Sequence, residues 1–364
     1  MEDGIKRVCV LGCGNVGVAI AADLAIKGHD VTIVKTSNTK EGIFEKIKRN
    51  GNSVLLKENN EYQKAVIKNL THDISQVASA DVIFLTIQST YHEQVIKEIS
   101  PYLNSGQIVV IVCSYLSIYY FERYCADNLP VIVETTGPYL EGRIEEEDIA
   151  GEVVFRVGCR LTRSPLSVYN PTLTNDAMAI LHQLYDGFSA EYTPIEAALL
   201  NPNLVLHTVG SIMSIPRIEY SKGNFCMYRE AYSRENTATI NVMLMLDEEK
   251  KAVLKKIGFK PVSVFDAGGF LGDPMESFYA YSESSDRALS PTSVRSRYIT
   301  EDVSQGLVLL ESIAKLRGVD VPVTTAMINI ANAALGCDFR KDGRTIERLT
   351  GGEDKLIGSR YARV

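Results

Sequence analysis

One stretch limits the possible folds of this 364-residue chain more than any other: Arg7-Val-Cys-Val-Leu11, followed at once by Gly12-Cys13-Gly14-Asn15-Val16-Gly17. A short β-branched run, a glycine loop and a helical run from Val18 to Lys27 read as strand, turn and helix. Each glycine has its own duty in that setting. Gly12 permits the tight turn, Gly14 lets the backbone approach a pyrophosphate, and Gly17 lets the helix lie close to the sheet. The N–H groups and positive dipole end of the helix then face the phosphates. Gly12 to Gly17 are therefore expected to hold a dinucleotide, and Gly28-His-Asp with Val31-Thr-Ile-Val34 supplies the next turn and strand.

The end of that second strand bears on which nicotinamide cofactor is preferred. An acidic residue there would accept hydrogen bonds from the ribose hydroxyls and repel a 2′-phosphate. This chain carries Lys35-Thr36-Ser37-Asn38 instead, and Asp30 comes before the strand. A cation and hydroxyls suit a phosphate, so NADP (NADPH) is expected as the preferred cofactor, with NAD as the other candidate.

Further on, Ser53 to Leu56 and Tyr62 to Ile67 flank Lys57-Glu-Asn-Asn-Glu61 and read as a hairpin inserted in the doubly wound order. Ala80 to Ile87 reads as a strand, Tyr91 to Leu103 as a helix ending near Gly106, and Gln107 to Val112 and Pro130 to Glu134 as further strands. Fully apolar strands alternating with helices imply a parallel sheet covered on both faces. Ligands of such sheets lie at the carboxyl ends of strands, which nominates Ile87-Gln88-Ser89 and Glu134-Thr135-Thr136 as walls of a cofactor cleft. Tyr139 and Arg143 follow; Arg143 is either a partner for a substrate carboxylate or plain surface.

After about Thr193 short strands give way to long helical periods. With about 150 residues per domain as a guide, the expectation is an N-terminal Rossmann domain over 1–194, a doubly wound parallel sheet, and a C-terminal all-α domain over 195–364 that binds substrate. The helical part opens with Ala198 to His207, apolar but for Asn201, Asn203 and His207. Asn203 and His207 are four apart and share a helix face. An amide and an imidazole buried among leucines need hydrogen-bond partners, either the backbone of a core or a polar ligand. Phe225-Cys-Met-Tyr228-Arg229 comes next, then an amphipathic helix from Thr237 to Ile257 in which Met243 and Met245 read as core filler. Asp266 to Ser290 reads as a long loop. In Ser290 to Val303, Thr300 is expected to cap a helix whose first turn holds Glu301 and Asp302, with Gly318 ending it before Pro322. Acid, Arg297 and Tyr298 crowded together suit a carboxylate-binding, histidine-orienting site equally well.

Composition excludes several classes. A net charge of -7 without a basic cluster argues against nucleic acid or an anionic membrane as partner. No apolar run approaches the roughly 18 to 20 residues of a spanning helix. Met1-Glu-Asp-Gly offers no export signal, so a cytoplasmic protein is expected. Seven cysteines without paired metal-ligand spacing read as reduced, small hydrophobes.

In combination, several blocks resemble the octopine/nopaline dehydrogenase family, the opine dehydrogenases, nearly end to end. They are Gly12-x-Gly14-x-x-Gly17, Asn201-x-Asn203-x-x-x-His207, Tyr228 before a helix, Arg297-Tyr-Ile-Thr-Glu-Asp302-Val with Gly306-Leu307, and Gly318-Val-Asp-Val-Pro322. The resemblance implies reductive condensation of an amino acid's amine with a 2-oxo acid through an imine. It casts His207 as acid/base, Asp302 as its orienting carboxylate, Arg297 as a substrate-carboxylate clamp and Asn203 as a partner of substrate or histidine. The partners it implies are small molecules, with a homodimer as one possible assembly. Two departures stand out. Thr208 occupies the place where the family commonly has proline, and the chain has no tryptophan, which leaves Tyr228, with Tyr220 or Tyr232, to line the pocket. Two other readings stay open: a simple ketone reductase of the glycerol-3-phosphate or ketopantoate type, and a non-catalytic NADP-binding sensor.

Overall fold

The structure, a computed structural model, describes residues 4–37, 42–125, 128–145, 149, 151–270, 272–283 and 290–351. These fall into two compact units divided between Ala197 and Ala198. Asn38, and residues 271 and 284–289 of the expected loop, lie outside the described residues.

Among the described residues the first unit holds twelve strands: β1 Arg7–Leu11, β2 Asp30–Val34, β3 Ser53–Glu58, β4 Glu61–Val66, β5 Asn69–Thr71, β6 Val82–Leu85, β7 Ile108–Val112, β8 Val131–Thr135, β9 Leu140–Ile144, β10 Val153–Arg160, β11 Ser164–Val168 and β12 Phe188–Tyr192. Eight of them form one sheet in the order β12-β11-β8-β7-β6-β1-β2-β5. Every pairing in it is parallel except β8 with β11. β6 and β7 are buried at every position, the mark of a sheet covered on both faces. From β1 the chain winds outward to β2 and β5, then crosses to β6, β7 and β8. Strand order reverses between β1 and β6, which brings the loops after these two strands together at the switch point.

The expected hairpin is β3–β4, paired from Ser53–Val66 to Glu58–Glu61. Its turn residues Asn59 and Asn60 both have positive φ, 51° and 65°, as a two-residue primed turn demands. It belongs to a separate four-stranded sheet, β4-β3-β10-β9. β9 and β10 escape a sequence reading because Leu140-Glu-Gly-Arg-Ile144 carries no clean apolar alternation. The helix Asn15–Ile26 packs against β1 and β2 on one side and the small sheet on the other, which is why Val18, Ala19, Ile20, Ala21, Ala22 and Leu24 are all buried. Arg160 of β10 closes this layer, donating to Asp23 of the helix at 2.8 Å and to Glu58 of β3 at 3.0 Å. The helix expected over Tyr91 to Leu103 is His92–Ile99 flanked by 3₁₀ turns.

A reciprocal cap starts the helical part. Glu196 Oε2 accepts from the backbone N–H of Thr193 at 3.0 Å, and the N–H of Glu196 donates to Thr193 Oγ1 at 3.4 Å. In the second unit the helix Asn203–Met213 is buried from Leu204 to Ile212. Around it pack Met227–Ala231, Thr237–Lys256, Arg297–Thr300, the segment Asp302–Leu307 and Pro322–Leu335.

Two expectations are corrected here. Asp266 to Ser290 is not a continuous loop, since Val264–Ala267 and Pro274–Glu283 are helices. Gly272-Asp-Pro is a start signal: Asp273 Oδ1 accepts from the N–H groups of Met275 and Glu276 at 3.0 and 3.1 Å, and Pro274 takes the first helical position. Burial of Phe278 against Tyr232, Phe265 and Phe270, with ring centroids 5.4, 5.4 and 5.6 Å away, supplies the packing. Nor is Thr300 an N-cap. A helix already runs over Arg297–Thr300, passes through a π-helical turn at Asp302–Leu307 and continues as Val308–Arg317 to Gly318, whose φ of 64° ends it. The Thr300 hydroxyl donates back to the Ser296 carbonyl at 3.0 Å. Among the described residues no single helix is long and apolar enough to cross a membrane.

Candidate active site

In the first unit the glycine loop is fixed by what lies against it. A Cβ on Gly17 would stand 2.2 Å from the Gly12 carbonyl oxygen, and one on Gly12, whose φ is 117°, would stand 2.8 Å from Thr86 Oγ1. Neither tolerates a side chain. A Cβ on Gly14 would meet nothing within 4 Å. Packing explains Gly12 and Gly17, whereas Gly14 keeps open space beside the first turn of a helix, as close approach of a phosphate requires. Thr86, just after β6, donates from its hydroxyl to the Leu11 carbonyl at 2.9 Å and so ties the two loops of the switch point. Ile87 Cγ2 lies against the same spot as Thr86, while Gln88 is exposed.

Several expected site residues of this half also make contacts within the fold. Asn15 Oδ1 accepts from the Ile144 N–H at 2.9 Å, joining the helix to β9. Cys13 is half-buried, and burial pushes its thiol up to about 12 against the opposing pull of the Lys35 ammonium, so it stays protonated. Val16 packs against the core. Lys35 is buried, with its ammonium 5.6 Å from the Phe44 ring centroid and its carbonyl accepting from His72 Nδ1 at 3.0 Å; Thr36 is half-buried and Ser37 exposed. Glu134, expected in a cleft wall, is buried and accepts from the Ile118 N–H at 2.9 Å, at the start of the helix Ile118–Cys125. Tyr139 is a core ring stacked 4.2 Å from Tyr185, and Arg143 is exposed on β9 of the small sheet.

In the second unit the helix Asn203–Met213 carries His207, 5% exposed, in its second turn. Its Nδ1 donates to Asp302 Oδ2 at 2.9 Å, and Asp302 is 1% exposed. A carboxylate on Nδ1 sets the tautomer and favours the imidazolium when it forms. Tyr298 lies flat on the imidazole, centroids 3.7 Å apart and planes 8° apart. The Arg297 guanidinium is half-exposed, 3.6 Å from the buried Glu301 carboxylate and 5.7 Å from the Tyr298 centroid. Thr208, in place of the family's proline, donates from its hydroxyl to the Leu204 carbonyl at 2.6 Å.

The two asparagines divide their work. Asn201 caps the helix, its Oδ1 accepting from the Asn203 N–H at 3.0 Å, while Asn203 is half-buried with no side-chain hydrogen bond among the described residues. Tyr228 is half-buried in an aromatic group with Tyr232 and Tyr281, centroids 5.8 and 5.9 Å away. Tyr232 is core, its hydroxyl donating to the Leu206 carbonyl, and Tyr220 is 87% exposed, so neither lines a pocket. His207, Asp302, Tyr298, Arg297 and Glu301 thus gather in one place. The sequence offers Tyr298 only as one of a crowd with Arg297 and the acids; the structure gives it a specific contact, the face of His207.

The two halves of the chain match different known families. Residues 191–335 match the model described as NAD/NADP octopine/nopaline dehydrogenase, alpha-helical domain, and residues 8–113 match Ketopantoate reductase PanE/ApbA. Vitopine synthase of Allorhizobium ampelinum is 25% identical over 357 residues, 95% of each chain. Opine dehydrogenase of Arthrobacter sp. (strain 1C) is 26% identical, over 94% of this chain and 95% of that one. Octopine dehydrogenase, solved with NADH and L-arginine, superposes with a TM-score of 0.72 at 18% identity, over 96% of this chain and 99% of that one. A nucleotide-binding α/β unit joined to this helical unit defines an NAD(P)-dependent oxidoreductase. Within that class, the helical unit carries the match to the octopine/nopaline dehydrogenases, and the chain is similar over nearly its whole length to opine dehydrogenases.

Proposed function

We propose that the protein joins the amine of an amino acid to a 2-oxo acid and reduces the resulting imine to a secondary amine. The observation that carries this reading is the buried His207–Asp302 pair, 2.9 Å apart on the helical unit that matches the octopine/nopaline dehydrogenases. The open space at Gly14 fits a nicotinamide dinucleotide, and Gly12 to Gly17 with Ile87 would hold it. When bound in reduced form, that cofactor supplies the hydride.

The chain's own residues supply the protons and the orientation. His207, protonated and braced at Nδ1 by Asp302, polarises the oxo oxygen and donates its proton as water leaves. The second proton of that water comes from the amine nitrogen, which has already attacked the oxo carbon, and the imidazole left behind takes a proton from the next ammonium substrate to free its amine. Arg297, 41% exposed, presents a planar donor fork suited to a substrate carboxylate. Asn203 and Tyr228 are the further substrate contacts in this reading. Lys35, Thr36 and Ser37 favour NADPH over NADH, because a cation and hydroxyls suit a 2′-phosphate.

The match to ketopantoate reductase favours a second reading, reduction of a ketone with no amine partner. The family model covers residues 8–113, within the nucleotide-binding unit, while a solved ketopantoate reductase of Ralstonia eutropha superposes over 92% of the chain with a TM-score of 0.62, so the fold alone does not separate the two readings. Oxidation of NADPH and of NADH by the purified protein, with pyruvate, 2-oxoglutarate and a panel of amino acids singly and in pairs, tests both. Turnover only with a pair, and a lower KM for NADPH, is the expected result. Turnover with a 2-oxo acid alone would replace the first reading with the second, and a lower KM for NADH would remove the assignment to Lys35.

A further inference from the structure

We infer that Tyr298 is a positioning residue for His207, its ring holding the imidazole in plane and favouring the protonated form through the face of the phenol. The inference rests on the proposed role of His207 as acid/base. Three facts carry it. The two rings lie 3.7 Å apart and 8° from parallel, a full face-on stack rather than an edge contact. Asp302 holds the imidazole through Nδ1, and a hydrogen bond in the ring plane does not by itself resist rotation about its own axis. A ring stacked on the face removes that rotation. Lastly, a neutral imidazole gains only dispersion from the stack, whereas an imidazolium is also attracted by the negative face of the ring. Tyr298 therefore stabilises one protonation state over the other, which simple packing would not do.

Charges around the helix Asn203–Met213 leave this contribution legible. On the segments Arg297–Thr300 and Asp302–Leu307, with Glu301 between them, Asp302 and Tyr298 meet the imidazole, Arg297 stands over Tyr298, and Glu301 lies beside Arg297. On Thr237–Lys256, Asp247 pairs with Lys250, Glu248 with Lys251, and Glu249 accepts from the N–H groups of Val323 and Thr324. On Met227–Ala231, beside Tyr228 and Arg229, Glu230 pairs with Arg217 of the neighbouring helix Ile215–Ser221, which also carries Glu219 and Tyr220. Pro322–Leu335 has no ionisable side chain. Arg297 stands 5.7 Å from the Tyr298 centroid, and as a cation over the same ring it opposes rather than mimics the proposed effect.

The test is an NMR titration of the full-length protein carrying ¹³C-labelled histidine, without substrates, with the His207 signal among the five histidines assigned by its loss in His207→Asn. Tyr298→Leu is expected to lower the pH midpoint of His207 by about one pH unit, a tenfold loss in proton affinity, and Tyr298→Phe to leave it in place. A midpoint unmoved in Tyr298→Leu, or moved as far in Tyr298→Phe, would overturn the inference. Phenylalanines of increasing fluorination at position 298 keep the shape while draining the ring face, and so cover the case in which Tyr298→Leu does not fold. A midpoint falling stepwise with fluorination supports the role of the ring face, and a flat series refutes it. Because the readout needs no turnover, its failure and failure of the proposed reaction are separate results.

Discussion

His92 and His207 are both buried imidazoles, 0% and 5% exposed, yet they are built for opposite ends. His92, in the nucleotide-binding unit, donates from Nε2 to the Ile87 carbonyl at 3.2 Å and meets the Ser117 hydroxyl at 2.7 Å through Nδ1. It thereby joins the loop after β6 to the loop after β7, where Cys113, Tyr115 and Leu116 hold positive φ of 63°, 51° and 66°. Left-handed backbone at non-glycine residues costs free energy and persists only where its surroundings hold it. His207 instead faces a carboxylate and a ring. Burial alone does not distinguish a working histidine from a structural one. The charge of the hydrogen-bond partner does, because only an anion lets a buried imidazole accept a second proton at moderate cost.

Substitutions can break that contrast. The largest expected effect is in His207→Asn, which should lower kcat by about 10³-fold while NADPH affinity, measured by fluorescence titration, stays unchanged. Loss of cofactor binding in the same measure would make His207 structural after all. Asp302→Asn should follow, with kcat down about 10²-fold and little change in melting temperature, since the amide keeps the shape but not the charge. Should Asp302→Asn retain full activity, the partner's charge is not what separates the two histidines.

His92→Asn is the reciprocal test. Leaving the Ser117 hydroxyl and the Ile87 carbonyl short of a partner should cost about 2 kcal/mol in urea unfolding, with kcat of the folded protein nearly unchanged at saturating cofactor. A loss of kcat as deep as that of His207→Asn would erase the contrast. The smallest effect sharpens the picture on the cofactor side. Gly14→Ala, which meets no protein atom within 4 Å, should leave the melting temperature in place and weaken NADPH binding about tenfold. A lowered melting temperature would show that Gly14, like Gly17, answers to packing.

Sequence legibility followed the range of the physics involved. The glycine loop, the apolar strands, the β3–β4 hairpin and the helices Thr237–Lys256 and Pro322–Leu335 are written in patterns a few residues long, where periodicity and turn chemistry act directly. Asp273-Pro274 was just as local, a cap followed by an N1 proline, but it was embedded among glycines and serines and so read as loop. β9 and β10 were hidden for a different reason. β10 pairs with β3 of a distant hairpin and β9 in turn pairs with β10, and Arg160 reaches Asp23 and Glu58 across 137 and 102 positions.

By itself, then, the sequence determined a dinucleotide fold at one end, helices at the other, and a list of polar residues worth suspecting within them. Only the tertiary structure decided which of those residues meet. His207 and Asp302 are 95 positions apart, and nothing in the periodicity of either helix encodes the other. The π-helical turn at Asp302–Leu307 adds to this, because a wider turn rotates everything before it relative to the helix after it, so a straight-helix reading misplaces Tyr298, Glu301 and Asp302 about the axis. Hydrophobic pattern fixes which face of a helix is buried, but a hydrogen bond of 2.9 Å and a ring stack of 3.7 Å are set by how two helices, each satisfactory alone, pack against one another.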